Sequence, residues 1–362
     1  MIIVKILLFP FACLYGLIIG LRNKLFDWKI IPSTSFSFPV ISIGNLSAGG
    51  TGKTPHTEYL VNLLKDRYNI AILSRGYRRK TKGFIMASDS HTQLEIGDEP
   101  MQYLKKFTGI TLAVDECRKK GILRIMAEKP ETELILLDDA FQHRYVKPGK
   151  SILLTDYHHL YTEDYLLPVG LLREKISGAR RADIIIVTKT PKVLSPITKR
   201  SLIEDINPGR HQKMFFSHVT YERPVPLAHC SNQEPAAEKY NYIIMVAGIA
   251  NSYPMQEYLK GICNELVVID FEDHHEYSTG DFEKILTEYQ SILSKDKVIF
   301  TTEKDATRLD LDEFSTYLDV LPFYYVPIRI KFHDCDDIKF DKLILDYVQK
   351  SIGSRSIHQE KR

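Results

Sequence analysis

The sequence predicts an α/β fold in which a doubly wound parallel sheet is joined to a second, smaller α/β domain. Three observations predict it: short apolar runs alternate with helical stretches, a glycine-rich loop separates the first run from the first helix, and a shorter alternation follows an extended segment. Such alternation is typical of parallel strands whose connecting helices cover both faces of a sheet. The predicted strands of the larger part are residues 40–45, 70–74, 110–114, 134–138, 152–155 and 184–188, and its helices are 55–65, 100–106, 118–127 and 173–182. The smaller set of strands is 242–247, 267–271, 298–301 and 324–328.

The glycine-rich loop reads Ser-Ala-Gly-Gly-Thr-Gly-Lys-Thr and joins the first apolar run to a helix that opens with Pro55. Glycines let backbone N–H groups surround an anion, the lysine reaches terminal phosphates, and the last threonine offers a hydroxyl to Mg²⁺. Ser47 departs from the usual pattern, which begins with glycine. The loop predicts a P-loop NTPase-like fold, with a nucleotide site formed by Ser47, Ala48, Gly49, Gly50, Thr51, Gly52, Lys53 and Thr54.

Changes of composition divide the chain into five predicted segments. They are an apolar membrane-anchoring segment (1–30), the phosphate-loop domain (31–212), a short extended linker (213–240), a smaller α/β domain (241–350) and a polar, frayed tail (351–362). The 362 residues suffice for two domains of ordinary size.

The first 21 residues are apolar apart from Lys5. A cleaved signal peptide is disfavoured because no small-residue cleavage site follows, and a full transmembrane span would contain both Lys5 and Pro10. The preferred interpretation is a monotopic anchor sunk into one leaflet, with Arg22, Lys24 and Lys29 facing anionic headgroups.

Charge and cysteine content exclude other classes of function. The 48 Lys and Arg side chains nearly balance 46 Asp and Glu, so no basic field predicts a nucleic-acid partner. The five cysteines lack metal-binding or disulfide spacing, which indicates a reducing compartment without a zinc site.

Acidic residues stand where chemistry is expected. Asp138 and Asp139 end a predicted strand, the place where a phosphate-loop protein holds its metal, and Asp138 is the preferred ligand. Asp98 and Glu99 open a helix. Asp98 is either an N-cap or a base that accepts the proton of an attacking hydroxyl.

Basic residues also follow predicted strands. Arg75 and Arg118 stand where the carboxyl ends of parallel strands meet ligands, and either could face a phosphate or the solvent. In the second domain His274 has acidic neighbours in sequence. Orientation of His274 by a carboxylate is preferred to metal binding, because His275 projects differently and no further ligands have suitable spacing.

Eight ordered motifs carry a resemblance to a known family. They are residues 45–55, 74–77, 97–100, 138–143, 170–174, 247–249, 273–274 and 302–306. The chain resembles the tetraacyldisaccharide 4'-kinases, the lipid A 4'-kinase family, from its N-terminal apolar segment to about Thr307. Ala140 stands where that family often has glycine.

The resemblance implies transfer of the ATP γ-phosphate to the 4'-hydroxyl of a tetraacyl disaccharide 1-phosphate, at the cytoplasmic face of a bacterial inner membrane. It implies ATP and Mg²⁺ as cofactors, and two α/β/α domains that are joined by a two-stranded linker and close over the nucleotide. The implied roles are Lys53 and Thr54 for phosphate and metal, Asp98 as base paired with His274, Glu99, Asp138 and Asp139 around the metal, and Arg75, Arg118, Gln142, His143 and Arg173 toward the substrate.

Two other functions compete with this interpretation. A membrane-tethered NTPase that drives a partner would share the loop and the apolar segment. However, residues 188–191 read Thr-Lys-Thr-Pro and lack the Asn and Asp of a guanine-reading motif. A soluble small-molecule kinase would instead bury residues 2–21 against its core.

Overall fold

The computed structural model describes residues 2–230 and 238–359, and it divides the chain into two compact units. Unit 1 comprises Met1–Val219 and Ile330–Arg362, and unit 2 comprises Thr220–Arg329. The chain therefore leaves unit 1 and returns to it, crossing the boundary near the end of one strand and within another.

The helices and strands follow one another along the whole chain. The strands are β1 (Val40–Asn45), β2 (Ile70–Ser74), β3 (Ile85–Met86), β4 (Thr111–Val114), β5 (Leu134–Leu137), β6 (Lys150–Asp156), β7 (Ile184–Thr188), β8 (Lys213–Tyr221), β9 (Val225–Pro226), β10 (Tyr240–Ala247), β11 (Cys263–Asp270), β12 (Lys297–Thr302), β13 (Phe323–Val326) and β14 (Ile328–Phe332). The helices are α1 (Ile2–Asp27), α2 (Lys53–Leu64), α3 (Gln93–Ile96), α4 (Asp98–Lys106), α5 (Arg118–Glu128), α6 (Pro196–Ile206), α7 (Tyr253–Lys260), α8 (Thr279–Ser291), α9 (Glu303–Leu309), α10 (Ser315–Leu318) and α11 (Asp336–Gln359).

Unit 1 is built on a nine-stranded sheet of order β14-β8-β7-β6-β1-β5-β2-β4-β3. The strands from β8 to β4 in this order pair in parallel, and β3 pairs antiparallel with β4 at the edge. β1 lies at the centre, and all six of its residues are buried. The phosphate loop that follows β1 therefore starts from a fully buried strand at the middle of the sheet.

Alternate residues of the central strands pack on opposite faces of this sheet. On one face Ile41 and Ile43 join a core with side chains of α2, α4 and α11, including Leu64, Tyr103 and Phe340. On the other face Val40, Leu73 and Leu137 pack with Ile122 and Ile125 of α5. Both faces are covered by helices, as the apolar runs predict for a doubly wound sheet, and the predicted α/β fold class is confirmed.

Unit 2 holds a five-stranded sheet of order β11-β10-β12-β13-β9. Its first four strands pair in parallel, and the short β9 pairs antiparallel with β13. Phe282 of α8 and Phe314 stack with ring centroids 4.4 Å apart in its core.

The observed division differs from the predicted segments. Residues 213–219 belong to β8 in the sheet of unit 1 rather than to a linker, and residues 231–237 of the predicted linker lie outside the described residues. The predicted second domain ends too late, because β14 and α11 supply core residues of unit 1. The tail predicted to be frayed from Ser351 continues helix α11 to Gln359.

One predicted helix is wrong. Residues 173–182 contain only the 3₁₀ helix Ile176–Arg181. The segment before it is pinned in extended form, since Leu172 N donates to Tyr165 O at 2.9 Å and Arg173 N donates to Leu46 O at 2.8 Å.

Candidate active site

The phosphate loop turns on two glycines with left-handed backbone angles. Gly49 has φ 114° and Gly52 has φ 84°, conformations that L side chains rarely adopt. Gly52 is the N-cap of α2, so Lys53 and Thr54 open the helix and its N-terminal N–H groups point toward the loop. The local structure is therefore an anion cradle at a helix N-terminus.

Side chains from three other segments hold the loop from behind. Asn45 Nδ2 donates to Thr51 Oγ1 at 2.8 Å, and Arg173 Nη2 donates to Asn45 Oδ1. Thr188 Oγ1, at the end of β7, donates to Thr51 O at 2.9 Å. These polar contacts thus fix the conformation of the phosphate loop.

His56 supports the same loop and was not singled out from the sequence. Burial lowers the pKa of His56 to about 4, so the ring is neutral at ordinary pH. Its Nδ1 lies 2.7 Å from Gly52 O, which can only accept, and its Nε2 lies 3.0 Å from Ser217 Oγ. Nδ1–H therefore donates to the Gly52 carbonyl, and Nε2 accepts from Ser217.

Asp139 forms the charged link between Lys53 and Arg173. Its carboxylate accepts two hydrogen bonds from Arg173, at 3.0 and 3.2 Å, and its Oδ1 lies 3.8 Å from Lys53 Nζ. Burial would raise the pKa of Asp139, but the charges of Lys53 and Arg173 outweigh it and lower that pKa to about 2. Asp139 is ionised throughout the working range and holds Lys53 beside the loop.

Asp138 has the opposite electrostatic character. It is buried at the end of β5, and its Oδ2 accepts from Ser74 Oγ at 3.3 Å. Burial, with the nearby charges of Glu99 and Asp139, raises the pKa of Asp138 to about 6. Its Oδ1 is buried without a hydrogen-bond partner among the described residues.

The acidic residues fit a magnesium ion that is completed by phosphate and water. In the described part of the chain, no three His, Cys, Asp or Glu side chains form a metal site by themselves. Mg²⁺ commonly binds through one or two protein oxygens and takes its other ligands from phosphate and water. The unpartnered oxygen of Asp138 and the hydroxyl of Thr54 are suitable donors for such an ion.

Arg118 lies in a different position from the one predicted. Its side chain is only 1% exposed, and its donors bond the carbonyl oxygens of Asp115 at 2.7 Å and of Asp138 at 2.9 Å. This burial argues against direct contact between Arg118 and a substrate. Arg118 instead holds the ends of β4 and β5 together and places a positive charge under the acidic pair.

Asp98 and Glu99 open helix α4, as expected from the sequence, and both are half-buried. The helix is tied to α2 because Gln102 Nε2 and Lys106 Nζ donate to the buried carboxylate of Glu58 at 2.8 and 2.7 Å. Asp98 therefore lies on a helix that is hydrogen-bonded to the helix behind the phosphate loop.

A cavity of about 210 Å³ lies beside Asp139. Four of its lining residues come from α1: Tyr15, Ile19, Arg22 and Asn23. The others are Arg75, Asp139, Gln142, His143, Arg173 and Glu174. It thus contains all the predicted substrate residues except Arg118. Burial and the charges of Arg118 and Arg75 lower the pKa of His143 to about 3, so His143 is a neutral hydrogen-bonding group there.

Glu174 and α1 complete this wall, and neither contact was expected from the sequence. Glu174 is buried and accepts from Asn23 Nδ2 at 2.8 Å and from Arg181 Nη2 at 2.7 Å. Tyr15 Oη donates to Arg173 O at 2.7 Å. Only the composition of the apolar segment, in which Tyr15 and Asn23 are rare polar residues, hints at these contacts.

His274 belongs to unit 2 and is described within it. It follows β11 in a left-handed conformation, with φ 64°, and its N–H donates to Gly248 O at 3.1 Å. Lys304 Nζ lies 3.0 Å from its Nε2, and Asp273 Oδ2 lies 3.8 Å from the same nitrogen. The buried carboxylate of Asp305 accepts from Gly248 N and Thr302 Oγ1 and so fixes this turn.

A central strand, a phosphate loop and a helix, with an acidic pair on the neighbouring strand, define a P-loop protein that handles nucleoside triphosphates. The family model described as tetraacyldisaccharide-1-P 4'-kinase matches residues 4–349, and the chain belongs to that family. It is an ATP-dependent kinase of the lipid A pathway that phosphorylates a hydroxyl group.

Individual relatives agree with this membership. The chain is 44% identical to a tetraacyldisaccharide 4'-kinase from Bacteroides thetaiotaomicron, covering 97% of this chain and 95% of that protein. It is 43% identical to one from Flavobacterium johnsoniae, covering 96% and 98%. A crystal structure of LpxK from Aquifex aeolicus in complex with ATP superposes with a TM-score of 0.73 at 29% identity, covering 95% and 99%.

Proposed function

We propose that unit 1 binds the triphosphate of ATP on residues 47–54 and presents its γ-phosphate to the 4'-hydroxyl of a tetraacyl disaccharide 1-phosphate. The observation that carries this proposal is the Lys53–Asp139–Arg173 cluster between the phosphate loop and the cavity that α1 closes. This cluster lies where phosphate donor and lipid acceptor would meet.

In the proposed step, Asp98 accepts the proton of the 4'-hydroxyl while the oxygen of that hydroxyl forms a bond to the γ-phosphorus. The bond from the γ-phosphorus to the bridging oxygen breaks, and its electron pair leaves with ADP. Lys53 and the loop N–H groups stabilise the charge on the phosphate oxygens. His274, in unit 2, is proposed as a further catalytic residue of the same step.

Thr54 and Asp138 would hold Mg²⁺, with Glu99 and Asp139 near it. The ion, when bound, neutralises charge on the phosphates. The raised pKa of Asp138 supports this role, because a buried carboxylate among acidic neighbours gains most from a nearby cation.

The cavity residues would bind the acceptor. Arg75 and Arg173 supply positive charge, and Gln142 and the neutral His143 supply hydrogen bonds to sugar hydroxyls or phosphate. Arg118 contributes by fixing the backbone of the acidic pair.

The amphipathicity of α1 supports a membrane surface as the place of reaction. Tyr15, Arg22 and Asn23 face the rest of unit 1, whereas between Ile6 and Leu21 every exposed residue of the helix is apolar. The large apolar side chains exposed on α1 are Val4, Ile6, Leu7, Phe9, Phe11, Leu14, Leu17, Ile18 and Leu21. A helix in water has the reverse arrangement, so this face is suited to lipid.

Contacts along the whole helix favour an in-plane position over a span. Residues 4–27 are long and apolar enough to cross a membrane by length and composition. However, Lys5 Nζ lies 5.9 Å from the ring centroid of Tyr165, and Asp27 Oδ1 lies 2.6 Å from Arg144 Nη2. The stretch of α1 between these two contacts is about 33 Å long. If this stretch crossed the membrane, the part of unit 1 packed against it would have to lie in the hydrocarbon core. We infer a monotopic enzyme on the cytoplasmic face of the inner membrane.

The direct test is phosphorylation of a detergent-solubilised tetraacyl disaccharide 1-phosphate by the purified chain with ATP and Mg²⁺. We expect the lipid to gain one phosphoryl group in step with ADP release, as recorded by mass spectrometry. Release of ADP with unchanged lipid would contradict the assignment of the acceptor and favour a tethered NTPase.

A further inference from the structure

A second apolar segment lies on the surface of unit 1, between β6 and β7. Residues 165–176 read Tyr-Leu-Leu-Pro-Val-Gly-Leu-Leu-Arg-Glu-Lys-Ile, an apolar composition for a connection that enters a 3₁₀ helix only at Ile176. Three of its large apolar side chains are exposed: Tyr165 (61%), Leu171 (47%) and Ile176 (40%). We name these residues the 165–176 segment.

The 165–176 segment packs along α1 on the side that faces unit 1. Leu166 fits against Gly16, where an added Cβ would lie 2.7 Å from Leu166 Cδ1. Near the other end of the segment, Lys175 lies against Gly20. These contacts make the exposed side chains of the segment neighbours of the apolar face of α1.

The same segment is bonded to the phosphate loop. Ala48 N donates to Leu171 O at 2.7 Å, and Arg173 N donates to Leu46 O at 2.8 Å. The segment is therefore hydrogen-bonded to Ala48 of the phosphate loop and to Leu46 just before it, so a surface that contacts the segment lies close to the loop. Val193 and Ile197 are also exposed apolar residues of unit 1, but in the described part of the chain no backbone hydrogen bond joins either of them to the phosphate loop.

Basic side chains border the segment and α1. Lys5 lies over the ring of Tyr165, and Lys175 is exposed beside Ile176. Lys24 and Lys29 are exposed at the end of α1. Apolar side chains rimmed by lysines complement a bilayer that contains anionic headgroups.

We propose that the 165–176 segment is a second membrane-contacting element, which enters the headgroup region beside α1 and sets the height of the phosphate loop above the lipid. The proposal rests on the membrane position proposed for α1. It explains why an apolar, exposed segment is bonded directly to the phosphate-binding backbone, since the acceptor hydroxyl of a bilayer-held lipid must reach that loop.

The single tryptophan of the chain, Trp28, makes a site-specific test possible. The full chain carrying Trp28→Phe and Tyr165→Trp is mixed with vesicles of phosphatidylethanolamine and phosphatidylglycerol. We expect the emission to shift to shorter wavelength and to be quenched by lipids brominated on their acyl chains. The matched control, Trp28→Phe with Val193→Trp, should show neither change. Unchanged emission from position 165, under conditions where the protein sediments with the vesicles, would overturn the proposal.

A second comparison measures binding strength. Tyr165→Ser with Ile176→Ser should lower vesicle partitioning about fivefold, while Val193→Ser with Ile197→Ser leaves it unchanged. Both variants should retain full kinase activity on detergent-solubilised substrate. Equal partitioning of the two variants would overturn the proposal for the 165–176 segment and leave the proposed function unaffected.

Other outcomes identify other failures. If the unaltered protein does not bind vesicles, both the membrane position of α1 and the proposal for the 165–176 segment are wrong. The detergent assay still decides the kinase activity in that case. If Tyr165→Ser with Ile176→Ser changes only the protein's self-association in solution, the segment is a contact between copies of this chain, and the proposal is overturned.

Discussion

Asp138 and Asp139 are adjacent, yet their pKa values move in opposite directions. Asp139 turns toward Lys53 and Arg173, and its pKa falls to about 2, whereas Asp138 turns into the buried end of β5, and its pKa rises to about 6. The left-handed backbone of Asp139, with φ 44°, separates the two side chains. The carboxylate of Asp139 therefore stabilises unit 1 at neutral pH, whereas ionisation of Asp138 costs stability there.

This asymmetry predicts opposite effects of two matched substitutions. In the unfolded chain Asp138 would titrate near 3.8, so above pH 6 its ionisation opposes folding, and that cost fades as the pH falls toward 4. Asp138→Asn should therefore raise the free energy of unfolding by about 1–3 kcal/mol at pH 7 and by less at pH 5, while reducing kcat.

Asp139→Asn is the control. The folded pKa of Asp139 lies below its usual value, so its contribution is present above pH 4 and is lost only in acid. This variant should lower the melting temperature at pH 7. Thermal melts of both variants at the two pH values test the argument, which fails if Asp138→Asn gains the same stability at pH 7 and pH 5.

Two further residues should separate chemistry from nucleotide binding. Asp98→Ala should lower kcat at least about 100-fold with little change in ATP affinity, because a base acts on the acceptor. Lys53→Ala should damage both kcat and ATP affinity, since the proposed contact of Lys53 with phosphate is made in the ground state as well as in the transition state. Steady-state kinetics and a direct measurement of nucleotide binding show whether a variant loses kcat alone or both kcat and ATP affinity. An equal loss of ATP binding in Asp98→Ala would assign that residue to the metal or to the structure.

At the scale of elements, the position of α4 depends on two glycines in contact. Gly97, with φ 98°, precedes the helix and lies against Gly76, whose φ is 70°. A Cβ on Gly97 would lie 2.9 Å from Tyr77 O and 3.0 Å from the carbonyl carbon of Gly76. The turn that carries Arg75 and the turn that carries Asp98 can approach each other only because neither glycine has a side chain.

Gly97→Ala should therefore lower the free energy of unfolding by about 1–3 kcal/mol and also reduce kcat, because Asp98 must move. Gly109→Ala is a matched control, since Gly109 also has positive φ, at 78°, but open space around its missing Cβ. The control should lose stability with unchanged kcat. Denaturant unfolding and kinetics of both variants test this, and a Gly97→Ala enzyme of normal kcat would contradict the positional argument.

The elements that the sequence predicts well are those with strong local signals. β1, β2 and β7 have the predicted bounds, since each is a continuous apolar run whose residues are all buried. The candidate site residues Arg75, Asp138 and Asp139 could be located from the sequence because each stands at or just after the end of a predicted strand. Local pattern could not show that Arg118 turns inward to carbonyl oxygens. It also could not show that residues 171–173 run along the phosphate loop instead of starting a helix, because partners distant in sequence decide both.

At the scale of the whole molecule, unit 1 is discontinuous in sequence. β14 is the neighbour of β8, and His333 N donates to Phe216 O at 3.1 Å. Phe340, Ile344 and Val348 of α11 are buried in the same core as Ile41 behind the phosphate loop. We therefore expect the folding of unit 1 to require the segment that begins at Ile330, which follows unit 2 in sequence.

This connectivity predicts that unit 1 folds without unit 2, but not without α11. A chain in which a short glycine-serine linker replaces Thr220–Arg329 joins two strands that are already sheet neighbours, and it should unfold cooperatively and bind vesicles. It should lack phosphotransfer, because it lacks His274, which we propose takes part in that step. A chain ending at Arg329 keeps every motif up to residue 306. It should nevertheless aggregate, because loss of α11 exposes one face of the central sheet. Phe340→Ala in the full chain should lower the free energy of unfolding by about 3–5 kcal/mol. Circular dichroism melts and vesicle sedimentation of these chains decide the matter. A soluble, cooperative protein ending at Arg329 would show that α11 covers a core able to fold without it.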